Sequence, residues 1–267
     1  MPKTKVNDIQ IYYEVRGEGF PLVMIHGLGA NLDWWDPSMV QELSKRFTTV
    51  TFDNRGAGRT DVSDKRYTIR LFADDTAGMM DSLGISRAHV IGISMGGMIA
   101  QELVLNYPQK VEKLVLCSTT CGGVESIRAS NDVLGRLMID RSTLSEKEIA
   151  KMMTPIILTK DFINKNPDQV ELIIQQGLKA PISAEAFRRQ LSAISGFSTH
   201  DRLPQIKAPT LILAGMKDIL VPPGNGSVLA EAIPKAKLVY LENSAHTLTE
   251  DMDEVNDIVS DFLANSS

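Results

Sequence analysis

The most direct chemistry in the chain lies in Gly92-Ile93-Ser94-Met95-Gly96, a serine bracketed by glycines at fixed spacing. A hydroxyl becomes a useful nucleophile when a base takes its proton and fixed dipoles stabilise the charge on the attacked carbonyl. Histidine is the usual base because its unperturbed pKa lies near neutrality. The sequence has four histidines. His26 precedes Gly27 at the end of an apolar run, His89 sits beside the run leading to Ser94, and His200 lies in a polar stretch. His246 follows Leu241-Glu242-Asn243-Ser244-Ala245, a loop after the last apolar run, and is the expected base. A histidine in that role needs a carboxylate to fix its tautomer and stabilise the imidazolium. Asp218, closing Ala214-Gly215-Met216-Lys217-Asp218, is the expected acid, because the other location, just past Ser118, carries Thr119 and Thr120.

Two N–H donors are needed for an oxyanion. The Met95 amide, at the start of the helix after Ser94, is one. The Leu28 amide, within Ile25-His26-Gly27-Leu28-Gly29, is the other, on a loop whose glycines allow tight curvature. Trp34, Trp35, Met138 and Met152 are candidate lining residues of a soft, apolar substrate pocket. The order Ser94, Asp218, His246 is the chain order of a triad built on a strand–turn–helix elbow.

These residues need a scaffold that brings distant segments to one edge. The apolar runs Pro21–Ile25 and Ala88–Ile91 read as buried strands, and Thr48–Phe52, Val111–Leu116, Pro209–Ala214 and Lys237–Leu241 read as further strands. Lys3 to Arg16 alternates around Asn7-Asp8 and reads as a hairpin. Helical spacing covers Trp35–Arg46, Thr68–Leu83, Gly97–Tyr107, Ser227–Ile233 and Glu250–Leu263. Apolar strands alternating with helices mean a mostly parallel sheet covered on both faces, an α/β fold. From Gly122 to about Leu203 the alternation stops. That stretch offers helices at Asp132–Ile139, Ser145–Met153, Pro167–Leu178 and Ser183–Ile194, with Ser145, Asn166 and Ser183 as expected N-caps. The expected division is a core domain of 1–121 and 204–267 with a helical cap of 122–203 over the site.

Composition narrows the function classes. The 267 residues are 43% hydrophobic and 23% charged, ordinary for a globular chain. A net charge of −5 without a basic run argues against nucleic acid as a partner. No apolar stretch is long enough to span a membrane, and Met1-Pro2-Lys3-Thr4-Lys5 leads into no apolar signal region, so a cytoplasmic protein is expected. Cys117 and Cys121 form neither a complete metal site nor an expected disulfide; Cys117 reads as core, and Cys121 as closer to the cavity.

Taken together, His26–Gly29, Phe52–Asp61, Gly92–Gly97, Gly215–Asp218 and His246 resemble the α/β-hydrolase superfamily over nearly the whole chain. Within it, the chain is similar to the group of carboxylesterases, enol-lactonases, N-acyl homoserine lactonases and cofactor-free haloperoxidases. The resemblance implies an eight-stranded, mostly parallel sheet flanked by helices, with the cap inserted after the sixth strand. It implies no cofactor and no metal, and a small-molecule ester or lactone as substrate. Ala57 stands where many relatives have histidine, and Ala245 where they have glycine. Gly29 replaces the proline common in perhydrolases, and a serine nucleophile is not the aspartate of dehalogenases. A regulator that binds or slowly cleaves a signal in the same pocket is the alternative function.

Overall fold

Strand side chains alternate between faces, so a run that is apolar at every position must be covered on both sides. The computed structural model, which describes residues 2–265, follows this rule. Eight strands are formed: β1 (Lys3–Val6), β2 (Ile9–Arg16), β3 (Phe20–Ile25), β4 (Phe47–Phe52), β5 (Ala88–Ile93), β6 (Val111–Cys117), β7 (Thr210–Gly215) and β8 (Lys237–Leu241). They make one sheet in the order β1-β2-β4-β3-β5-β6-β7-β8. The β1–β2 and β2–β4 pairs are antiparallel and all later pairs are parallel.

Val23 and Ile25 face one apolar core with Val90, Leu114, Leu116 and Ile212. That side is covered by α2 (Ile69–Ser82), α3 (Met95–Asn106) and α9 (Gly224–Ala232). Leu22 and Met24 face the other core with Ile91, Val115 and Leu213, under α1 (Pro37–Leu43) and α10 (Met252–Ala264). Between β6 and β7 the chain forms α4 (Asn131–Leu137), α5 (Glu146–Ile157), α6 (Lys160–Lys165), α7 (Pro167–Gly177) and α8 (Ala184–Ser195). A single antiparallel bridge, Gly122 with Ser198, joins the two ends of this insertion. Among the described residues, no helix is long and apolar enough to cross a membrane.

Three local expectations differ from the structure. The helix read from Trp35 begins only at Pro37, where the missing N–H is tolerated at a first turn, with Asp36 as N-cap; Leu32–Trp34 form a separate 3-10 turn. Asn166 stands at the N-cap position of α7 but makes no side-chain cap bond there: it also closes α6, and its side-chain amide donates to the Phe162 carbonyl at 3.1 Å. The terminal helix starts at Met252, after a 3-10 turn over Thr249–Asp251. Ser145 and Ser183 do cap their helices, and Ser145 forms a full capping box with Glu148.

Candidate active site

Parallel pairing sets the site. Ile25 of β3 pairs with Gly92 of β5, so the segments leaving both strands, His26-Gly27 and Ile93-Ser94, emerge side by side. Ser94 has φ +57° and ψ −121°, a conformation that costs a non-glycine residue about 1–3 kcal/mol. The turn closes only because its flanking residues lack side chains: a Cβ on Gly92 would run into the Gly96 carbonyl, and one on Gly96 into the Ile25 carbonyl. Ser94 N–H donates to the Cys117 carbonyl at 2.9 Å, and the Thr119 hydroxyl donates to the Ser94 carbonyl at 2.7 Å. These contacts pin the strained backbone to the end of β6. Gly27 lies against the serine, so that a Cβ there would sit 3.0 Å from Ser94 Cβ and 3.4 Å from its Oγ.

Asp218 follows β7 and His246 follows β8, at the same carboxyl edge as Ser94. Asp218 Oδ2 lies 2.7 Å from His246 Nδ1, and both side chains are buried at 4% and 6% exposure. The other carboxylate oxygen accepts N–H bonds from Leu220 and Val221, each at 2.8 Å, so the acid is held on both sides. A carboxylate facing Nδ1 makes that nitrogen the N–H and leaves Nε2 as the free acceptor. His26, next to the Gly27 that lies against Ser94, and Thr247, next to His246, border one cavity.

His26 is not a second base. Burial holds it neutral, with a pKa pushed down to about 3. Its Nδ1 accepts the Gly27 N–H at 2.7 Å, and its ring meets Trp35 edge-on. Gly29 N–H donates to Gln190 Oε1 at 2.9 Å. The Leu28 and Met95 N–H groups, the two expected oxyanion donors, have no acceptor among the described residues. Asp53 and Asn54, which follow β4, hold the neighbouring loops in place. Asp53 Oδ1 accepts the Leu32 N–H and Oδ2 the Arg59 N–H, each at 2.7 Å, while Asn54 donates to the His26 carbonyl at 2.9 Å.

The candidate pocket residues separate. Trp34 and Trp35 line a cavity of about 310 Å³ together with His26, Cys117, Leu172 and Thr247. Trp35 Nε1 is buried there without an acceptor among the described residues. Met138 is 72% exposed and borders a different, smaller pocket beside Arg141 and Phe187. Met152, on α5, lines neither. Cys117 is core as expected, buried in the cluster under α1 and α10, and it also borders the larger cavity. Cys121, expected nearer the cavity, packs instead into the opposite core cluster. His89 is buried against Phe20 and Phe47, and His200 stands beside Asp201.

Sequence reasoning gave no role to Gln190, Asn54 or Glu250. Glu250 accepts the Ala245 N–H at 3.2 Å and the Thr159 N–H at 2.7 Å, tying the loop before His246 to the insertion. Apart from Glu250 and Ala245, these partners are far apart in the chain, and no local pattern marks them.

Known proteins share both the sequence and this architecture. A relative from Azorhizobium caulinodans, provisionally named carbamate hydrolase RutD, is 28% identical over 250 residues, covering 93% of this chain and 92% of its own. A poly(3-hydroxyalkanoate) depolymerase from Ectopseudomonas oleovorans is 31% identical, with 91% and 84% covered. The crystal structure of the enol-lactonase from Burkholderia xenovorans LB400 superposes with a TM-score of 0.87 at 29% identity, covering 99% of this chain and 100% of that one. The profile of the alpha/beta hydrolase fold family matches residues 21–251, and the chain belongs to that family.

Proposed function

We propose that the protein is a serine hydrolase that cleaves a small, largely apolar carboxylic ester or lactone through an acyl-enzyme intermediate. The observation that carries this is the buried Asp218–His246 pair at the same sheet edge as a serine held at φ +57°. His246 Nε2 takes the Ser94 proton as Oγ attacks the carbonyl carbon. Asp218 stabilises the imidazolium, and the Leu28 and Met95 N–H groups receive the oxyanion. The imidazolium then protonates the leaving alkoxide, and water activated by the same histidine releases the acid.

The relatives support this class: their names refer to a carbamate, a polyester and an enol-lactone, all attacked at an acyl carbon. A largely apolar acyl group is favoured here because Trp34, Trp35 and Leu172 give an apolar wall to the 310 Å³ cavity, which borders Ile93 and Thr247, the chain neighbours of Ser94 and His246, rather than Ser94 and His246 themselves. Residues 1–121 and 204–267 act as the catalytic core and 122–203 as a cap over the site. Two free thiols at Cys117 and Cys121 suit a cytoplasmic enzyme.

The test is turnover of short p-nitrophenyl esters, γ-lactones and acyl homoserine lactones by wild type and Ser94→Ala. Multiple turnovers by wild type and loss of at least about 10³-fold in the variant are expected. Near-normal hydrolysis by folded Ser94→Ala would remove the mechanism. A single turnover that stops would favour the signal-binding regulator.

A further inference from the structure

The loop proposed to carry one oxyanion donor is held by a residue of the insertion. Gly27-Leu28-Gly29-Ala30 form a turn closed by Ala30 N–H on the Gly27 carbonyl at 3.4 Å. Gly29 has φ +73°, while Leu28 is not among the residues at positive φ. Positive φ at the third position alone defines a type II turn. Such a turn converts to type I by rotating its middle peptide, here the Leu28–Gly29 unit, which exchanges the directions of one carbonyl and one N–H.

Gln190 opposes that rotation. It lies on α8 with 0% exposure, accepts the Gly29 N–H at 2.9 Å, and donates through Nε2 to the Arg55 carbonyl at 3.0 Å. A carbonyl only accepts, so the Gln190 amide has one allowed orientation, with NH₂ toward Arg55 and oxygen toward Gly29. Rotating the middle peptide would turn the Leu28 carbonyl toward Gln190 Oε1, setting two acceptors against each other in a buried place. Phe187, three residues earlier on the same helix, packs against Gly29; a Cβ there would sit 3.0 Å from Phe187 Cδ2. One helix face therefore supplies both the apolar and the polar contact to the turn.

We propose that Gln190 is a positioning residue that locks the oxyanion turn in its type II form, so that the insertion completes the oxyanion hole as well as covering it. This rests on the proposed roles of Ser94 and Leu28. The Leu28 N–H sits on the first peptide of the turn, between a Gly27 amide committed to His26 and a Gly29 amide committed to Gln190. It is aimed only as well as those two neighbours are fixed. Release of α8 frees the Gly29 peptide and blurs the hole without moving Ser94, Asp218 or His246.

The experiment compares wild type, Gln190→Leu, Gln190→Glu and, as a control on the exposed face of α7, Gln175→Leu. Steady-state hydrolysis of p-nitrophenyl acetate is measured with inhibition by phenylboronic acid, which forms a tetrahedral adduct on an active serine. Loss of an aimed donor lowers kcat by about 10- to 100-fold with KM within about twofold, and weakens boronate binding by a similar factor. Gln190→Glu keeps the acceptor for Gly29 but opposes the Arg55 carbonyl, so it falls between wild type and Gln190→Leu. Amide exchange in wild type adds a readout that needs no variant: the Gly29 N–H should be strongly protected and the Leu28 N–H not. Unchanged kcat in either folded Gln190 variant, or an unprotected Gly29 amide, overturns the proposal while leaving the serine mechanism in place. If wild type hydrolyses no ester and a fluorophosphonate does not label Ser94, the serine mechanism and the Gln190 role fall together.

Discussion

The sheet edge and the helical insertion build the site in different ways. At the sheet edge, Ser94, Asp218 and His246 follow three parallel strands, and their loops are bound to one another: Ser94 to Cys117, Lys217 to Ser244, Asp218 to His246. The insertion is made of amphipathic helices capped by their own serines and threonines, with large apolar groups such as Leu172 left 63% exposed. It meets the core both through apolar packing, with Phe197 in the main core cluster and Ala186 and Phe187 against Ala57 and Leu28, and through polar bonds that include Gln190 to Gly29 and Arg55, Thr247 to the Ile157 carbonyl, and Glu250 to Thr159. The lesson is a division of labour. The sheet holds the proposed reacting groups firmly because β5 and β7 are each paired with strands on both sides and the loops after β7 and β8 are bonded to each other. The insertion meets the proposed oxyanion turn with one apolar and one polar side chain of α8, Phe187 and Gln190.

The largest expected effect breaks the core. Asp218→Asn keeps the shape but offers His246 the wrong partner, so kcat should fall by about 10³–10⁴-fold with the melting temperature little changed. A loss below about 10-fold would mean that the sheet edge does not hold the reacting groups as proposed.

A second effect separates the two regions through acid stability. His26 and His89, both in or beside core strands, are held neutral by burial at pKa values of about 3 and about 4. The unfolded chain binds protons on both below about pH 6.5, whereas the native chain refuses them until far lower pH. Stability conferred by these groups is therefore fully present above that value and drains away as pH falls toward 4. Near pH 5 the two together contribute a slope of about 2–3 kcal/mol per pH unit. Urea melts from pH 7 to 4.5 would show it, and His89→Leu should lower the slope by about half.

The smallest effects lie in the insertion. Leu172→Ala, at the cavity wall, should shift KM for a hexanoyl relative to an acetyl ester by about 2- to 10-fold with little change in kcat for acetate. Met138→Ala, at a 72% exposed position bordering the other pocket, should change either parameter by no more than about twofold. A 10-fold loss of kcat for acetate in either variant would erase the distinction between the two regions.

Much of this was legible beforehand because its signals are local. A strand buried on both faces favours an apolar run, as in β3 and β5, and the six segments read as strands all became strands within a few residues. The elbow is local too, since the Gly92 and Gly96 spacing is what allows φ +57° at Ser94. Helix starts were less legible: Pro37 displaced the beginning of α1, and Asn166, at the N-cap position of α7, spends its side-chain amide on the end of α6. Pocket lining was the least so. Trp34 and Trp35 reached a cavity while Met138 turned outward, because a methionine at helical spacing looks the same whichever way its helix is rotated.

By itself the sequence determined which groups could react and on what framework: a serine in a glycine turn, an acid and a base in the right order, and strands whose apolar periodicity admits one kind of sheet. The tertiary structure alone decided which amide each polar side chain would hold. The Gln190 bond to Gly29 spans 161 positions, so no spacing rule can encode it. It exists because burial leaves the Gly29 N–H and the Arg55 carbonyl facing the same side chain, and an unpaired polar group in the interior is costly. The aim of the oxyanion turn is thus a property of packing.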